Sequence, residues 1–188
     1  SSYNIKTGES RLIRSDDDYL IGYIPESNSV VFLVTGDNGG YLDLYSLDSH
    51  KVVLTNRYKY HPEHAMDYPA SGYTFISPKG TYVCRLADAA LRFQPDQWLF
   101  YDRLISTSDF TNKAILRDTV TTTMEASNRY HYTIAVFNDQ ETLLALTNDY
   151  ANYVDIFDLV QNRMVKRVSF NEKLRQVGMK FDSTGKYL

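Results

Sequence analysis

The chain has 188 residues, a formal net charge of −3, and 43% hydrophobic against 23% charged residues, the balance of one globular domain or a piece of a larger one. Its longest unbroken aliphatic or aromatic run, Val30-Val31-Phe32-Leu33-Val34, is far too short for a transmembrane helix, and no charged start with an apolar core marks a signal peptide. The acidic balance argues against a surface that tracks nucleic-acid phosphates, and the one cysteine, Cys84, has no mate for an internal disulfide. No glycosylation sequon is intact either, so a reducing, cytoplasmic compartment is expected. Residue 1 is Ser and not Met, which keeps a processed secreted or periplasmic form open.

Tyr is over-used, 16 of 188 residues, and such aromatic enrichment favours strands over helices. In chain order, short runs of strand formers alternate with polar turns. A degenerate copy of the third-strand pattern, Tyr3 to Glu9, opens the chain, and an acidic turn, Asp16-Asp17-Asp18, follows. A strand then leads into the turn Pro25-Glu26-Ser27-Asn28-Ser29 and the strand Val30 to Val34. Gly36-Asp37-Asn38-Gly39-Gly40 is a turn, because a strand and not a helix follows it; phosphate binding is not expected there. Tyr41 to Leu47 and Lys51 to Tyr58 read as a hairpin. Tyr73 to Ile76, the turn Ser77-Pro78-Lys79-Gly80-Thr81, and a strand from Tyr82 repeat the pattern. Cys84 to Phe93 is the best helical candidate, though a short one, and Ala87 to Trp98 reads as an inserted connection. Strands are next expected over Gln97 to Leu104, Lys113 to Val120, Leu143 to Leu146, Tyr153 to Leu159 and Met164 to Phe170. The turns Asn138 to Thr142 and Asp182 to Lys186 precede strands in the same way.

These elements form an internal repeat. Ser46, Asp102 and Asp158 each follow an aromatic near a strand end and are spaced 56 residues apart, reading Tyr41 to Leu47, Gln97 to Leu104 and Tyr153 to Leu159 as copies. The unit is strand, turn, strand, loop, strand, hairpin, strand. Phe75-Ile76-Ser77-Pro78-Lys79-Gly80-Thr81-Tyr82-Val83 is similar to the "FSPDGKYL" turn of WD40-like and YVTN-like repeats. Val154-Asp155-Ile156-Phe157-Asp158-Leu159 is similar to their "VxIWDL" strand, and Phe181 to Leu188 repeats the turn motif. The chain thus resembles an all-β β-propeller, part or whole, of four-stranded antiparallel blades. No Trp-Asp or Gly-His dipeptide occurs, so the hydrogen-bonded tetrad of true WD repeats is not carried over. Approximate blades are 19–66, 73–122 and 133–170, with partial blades 1–18 and 177–188, in one propeller region over 1–188. The two ends together could complete one blade; the preferred reading is a contiguous portion of a larger ring.

The candidate chemistry is thin. Tyr58 to Tyr68 holds His61, Glu63, His64 and Asp67, all metal-ligand types, but a lone HxxH lacks the second cluster a zinc site needs. The Asp16 to Asp18 run lacks the alternating spacing of a calcium loop. Neither a metal nor a cofactor is expected. Cys84 sits in a strand and reads as an inert thiol. Arg163, Lys166, Arg167, Lys173 and Arg175 read as an outer edge strand whose charges deter pairing.

Linkers between blades and loops between second and third strands fall on the top face of a propeller, where the resemblance implies partner binding. That places Tyr60, His61, His64, Arg92, Phe93, Trp98, Tyr130, His131 and Tyr150 as candidate contacts for a protein or peptide. The loops Asn128 to Tyr132 and Asn148 to Asn152 carry the last three. The expected function is a non-catalytic binding scaffold, with no nucleic-acid partner and no membrane insertion. The alternative is an accessory, substrate-gating propeller of a larger enzyme, as in prolyl-oligopeptidase-type or TolB-like proteins.

Overall fold

A computed structural model describes residues 2–3, 10–11, 18–34, 41–57, 73–94, 97–121, 132–148, 150–172 and 178–185, of which 2–3, 10–11, 18, 56–57, 87–94, 97–101 and 117–121 are described by backbone alone. A two-stranded ladder pairs β1 (Ser2–Tyr3) with β2 (Ser10–Arg11). Three four-stranded antiparallel sheets follow. Sheet 1 holds β3 (Asp18–Ile24), β4 (Ser29–Val34), β5 (Tyr41–Ser46) and β6 (Lys51–Arg57). Sheet 2 holds β7 (Tyr73–Ile76), β8 (Tyr82–Gln94), β9 (Gln97–Ser106) and β10 (Asn112–Thr121). Sheet 3 holds β11 (Ile134–Phe137), β12 (Leu143–Thr147), β13 (Tyr153–Asp158) and β14 (Arg163–Ser169). In each sheet the strands lie side by side in chain order.

The sheets stack face to face, because their inner strands are apolar on both faces. On β8, Val83 packs toward sheet 1 with Ile24, Val31, Leu42 and Ile105. Cys84 and Leu86, of the opposite parity, pack toward sheet 3 with Leu104, Tyr132, Leu144 and Leu146. The Tyr82 and Phe137 rings stack across that second gap, 6.5 Å apart and 6° from parallel. The first strands stand together: β7 packs against both β3 and β11. A Cβ at Gly22 would collide with Ile76, so glycine is what lets β3 approach β7. First strands together, with four-stranded antiparallel sheets stacked outward from them, is the architecture of β-propeller blades.

One rim is built from stacked tight turns. In all four copies the fourth residue adopts left-handed φ: Asn28 (43°), Gly80 (78°), Glu141 (57°) and Gly185 (68°). Its N–H donates back to the first carbonyl, Pro25, Ser77, Asn138 and Asp182 respectively. Neighbouring turns touch, since Glu141 Oε1 accepts from the Lys79 N–H at 2.5 Å. The third-to-fourth-strand hairpins end at the same rim, each with a left-handed fourth residue, His50, Phe110 and Asn162.

Three expectations are corrected. Cys84 to Phe93 is neither helix nor loop: β8 runs through it, and the inserted stretch forms a long β8–β9 hairpin with Arg92 opposite Trp98. The 56-residue phase also fails in sheet 2. The left-handed hairpin residues His50, Phe110 and Asn162 stand four places after Ser46, Ser106 and Asp158, so Ser106, not Asp102, is the equivalent position; the hairpin insertion shifts β9 by four residues. Finally, the turn Asp182 to Gly185 forms, but 178–182 contribute no strand before it.

Gly80 combines positive φ with a position whose Cβ would lie 2.8 Å from Ile24 Cγ1 and Cγ2. Gly80→Ala is therefore expected to cost about 1–3 kcal/mol in denaturant unfolding, through backbone strain and displacement of Ile24.

Candidate functional site

The opposite rim carries the loops between second and third strands, and sheet 3 shows how that rim is anchored. It begins with Asp155 on β13. Strand alternation turns this carboxylate into the gap between sheets 2 and 3, where it is fully buried. A buried charge needs partners. Arg167, directly opposite on β14, gives a bidentate pair: Nε donates to Oδ1 at 2.7 Å and Nη2 to Oδ2 at 2.8 Å. The Tyr132 hydroxyl donates to Oδ2 at 2.6 Å. Tyr132 is itself buried, and its N–H donates to Asp102 Oδ2 at 3.3 Å, which ties sheet 2 to sheet 3.

The Arg167 guanidinium also lies 3.9 Å from the centre of the Tyr153 ring, a cation–π contact. Its side chain is 50% exposed. Nε and one Nη2 proton are committed inward, so the two Nη1 protons and the second Nη2 proton remain for a partner. The hydrogen bond to Asp155 raises the Arg167 pKa beyond its ordinary value. A raised pKa means stability fully present below the ordinary arginine value and lost as pH rises through the raised one, so the guanidinium keeps its charge near neutral pH.

The neighbouring loop is equally fixed. Thr147 Oγ1 donates to the Tyr153 carbonyl at 2.6 Å. Asn148 is buried, and its Oδ1 accepts from the Tyr150 N–H at 2.9 Å while its carbonyl accepts from Ala151. This turn holds Tyr150 outward, 58% exposed. Asn152 bonds Phe170 through both backbone and side chain, and Phe170 is 41% exposed. The end of sheet 3 thus presents Tyr150, Phe170 and a pre-set guanidinium.

Of the residues singled out in the sequence, Tyr150 belongs to this rim. Arg92, Phe93 and Trp98 lie near the tip of the β8–β9 hairpin, which antiparallel topology places at the same end of its sheet. Tyr60, His61, His64, Tyr130 and His131 lie outside the described residues, as do Glu63, Asp67, Asp16, Asp17 and the glycine-rich turn 36–40. Tyr132, expected with its neighbours on a partner-facing loop, is a core residue instead.

In the sequence, Arg167 reads as one more edge-strand cation. A signal existed. Asp43 on β5 and Asp155 on β13 share the frame Tyr-x-Asp-x-aromatic, and each meets a side chain twelve positions on: Thr55 Oγ1 donates to Asp43 at 2.6 Å. The corresponding position in sheet 2 is Arg103, opposite the buried Arg85.

No protein-family model and no curated protein matches the chain. Among solved structures it is similar to U3-55K, with a TM-score of 0.49 and 13% identity over 87% of this chain and 43% of that one. It is also similar to the hydrazine synthase of Kuenenia stuttgartiensis, with a TM-score of 0.44 and 14% identity over 79% of this chain and 36% of that one. The chain spans less than half the length of either.

Burial and the nearby Asp102 charge push the Cys84 thiol well above its ordinary pKa of 9.0. It is protonated at neutral pH and unfit as a nucleophile. Stability from this source is complete below the ordinary thiol value and falls as pH rises above it. A thiol-disulfide reagent should therefore label Cys84 only at the rate of unfolding; rapid labelling of the native chain would contradict its burial. Arg167→Met leaves the Asp155 carboxylate buried without its guanidinium. It is expected to cost roughly 1–3 kcal/mol, discounted for the half-exposed guanidinium. Arg167→Lys, which keeps the charge without the fork, should recover only part of that loss.

Proposed function

We propose that this chain is a non-catalytic module that binds a protein or peptide segment at the rim holding the second-to-third-strand connections. One observation supports the reading most: a buried carboxylate and a tyrosine face fix the half-exposed Arg167 guanidinium on the same rim as exposed Tyr150 and Phe170. Arg and Tyr are the residue types that dominate interface energetics. A guanidinium already held in place loses little freedom on binding, which favours affinity. Its remaining protons suit a carbonyl or carboxylate oxygen of the partner, and the two aromatics suit an apolar side chain beside it.

The test is a peptide-display selection against the chain, followed by affinity measurement on variants. Tyr150→Ala and Phe170→Ala are each expected to weaken selected ligands roughly tenfold. Val160→Asp, a change on the opposite, turn-bearing rim where Val160 is 76% exposed, should leave them unaffected. Ligands that respond to Val160→Asp and ignore both aromatics would overturn the reading.

A further inference from the structure

The outer edge of sheet 3 is a second surface, distinct from the rim. β14 closes the order β11-β12-β13-β14, so one row of its N–H and C=O groups has no strand neighbour among the described residues. Every residue of β14 is exposed except the half-buried Val168. Arg163, Lys166 and Arg167 lie on it with no acid, in a chain whose net charge is −3. Met164 and Val165 stand 40% and 43% exposed between the cations. The register to β13 is uninterrupted from Lys166 to Ser169; the single irregularity falls opposite Ile156 and Phe157.

The other outer strands are also exposed but carry fewer cations: β6 has Lys51 and Arg57, and β10 sets Asp118 beside Lys113 and Arg117. On β10 the Lys113 carbonyl already accepts from Asn162 Nδ2 of the next sheet at 3.0 Å. On β6 the Thr55 side chain turns inward to Asp43. Lysine and arginine on an exposed edge repel the like-charged edge of a second copy. The same charges attract an acidic strand, because opposite charges across a ladder stabilise the pairing. We infer that β14 takes an extended, acidic segment of a partner polypeptide as a fifth strand of sheet 3. Backbone hydrogen bonds would supply the affinity, and Arg163 and Lys166 the selection for acidic side chains.

A capped heptapeptide of alternating Glu and Val is the probe, with alternating Lys and Val as its counterpart. Backbone hydrogen exchange is followed along β14, residues 163–169, of the whole chain. The acidic peptide is expected to slow exchange at β14 amides that are fast in the free protein, and to bind more weakly as salt rises. Arg163→Glu with Lys166→Glu should weaken it roughly tenfold. A third peptide, identical but N-methylated at alternate residues, keeps the charge and loses N–H donors. It is expected not to protect β14. Equal binding of acidic and basic peptides, protection elsewhere than β14, or full protection by the N-methylated peptide would each overturn the inference. None of these readouts depends on Tyr150 or Phe170, so the edge and the rim fail or stand separately.

Discussion

Burial on both faces of each sheet is the constraint from which the rest of this structure follows. A sheet with one wet face sorts apolar and polar side chains by strand parity. Here parity sorts them between two dry gaps. On β4, Val31 enters the gap toward sheet 2 while Val30, Phe32 and Val34 pack on the other face. On β12, Leu144 and Leu146 face sheet 2 while Ala145 packs with Val154 and Phe181. Polar character is thereby pushed to the strand ends and to the fourth strands. β14, with every residue exposed or half-buried, is the consequence of that arrangement and not an exception to it.

The same constraint explains why the carboxylates inside the stack are hydrogen-bonded. Asp43, Asp102 and Asp155 are almost or wholly without solvent contact. Each sits on a third strand, where neighbours come from the fourth strand or the adjoining sheet. Asp155 takes a guanidinium and a phenol, Asp43 a threonine hydroxyl, and Asp102 a backbone N–H from the chain entering sheet 3. A repeat unit can therefore keep its backbone while changing its charged residue, provided the facing residue changes too. Arg103, at the sheet 2 position of Asp43 and Asp155, shows the limit of the pattern: the backbone frame is repeated and the charge is reversed.

That is also why some of the fold was legible in the sequence and some was not. The tight turns were readable because their backbone demands are local: Pro78-Lys79-Gly80 and Asn138 to Thr142 carry turn chemistry wherever they are placed. The strands of sheets 1 and 3 were readable because aromatic and β-branched runs stand between those turns. The β8–β9 hairpin was not, since Ala87 to Leu91 is alanine-rich and favours helix locally, and only pairing with β9 makes it a strand. The shifted phase of Asp102 was hidden for the same reason: an aromatic before an aspartate marks a strand equally well at either register. Of the candidate site, Tyr150 was legible from its turn-forming neighbours. Arg167 and Tyr132 were not, because their roles depend on partners 12 and 23 residues from them in sequence.

Arg167 joins the stability of the fold to the geometry of its rim. Its inward bonds neutralise a carboxylate that is otherwise buried without a countercharge from this fork, so the side chain is needed before any partner arrives. The Tyr153 face beneath it and the Asp155 fork beside it leave the guanidinium in one orientation. A residue that must stay still for the sake of the core offers a partner a fixed donor. Tyr150 and Phe170 differ in this respect. Their side chains are exposed, and the hydrogen bonds that position them run through backbone and through Asn148 and Asn152. Truncating either ring leaves those bonds in place, so under the proposed function it removes contact surface and nothing else. The rim thus separates into one group whose loss acts through folding and two that can be truncated without touching the hydrogen bonds of the fold.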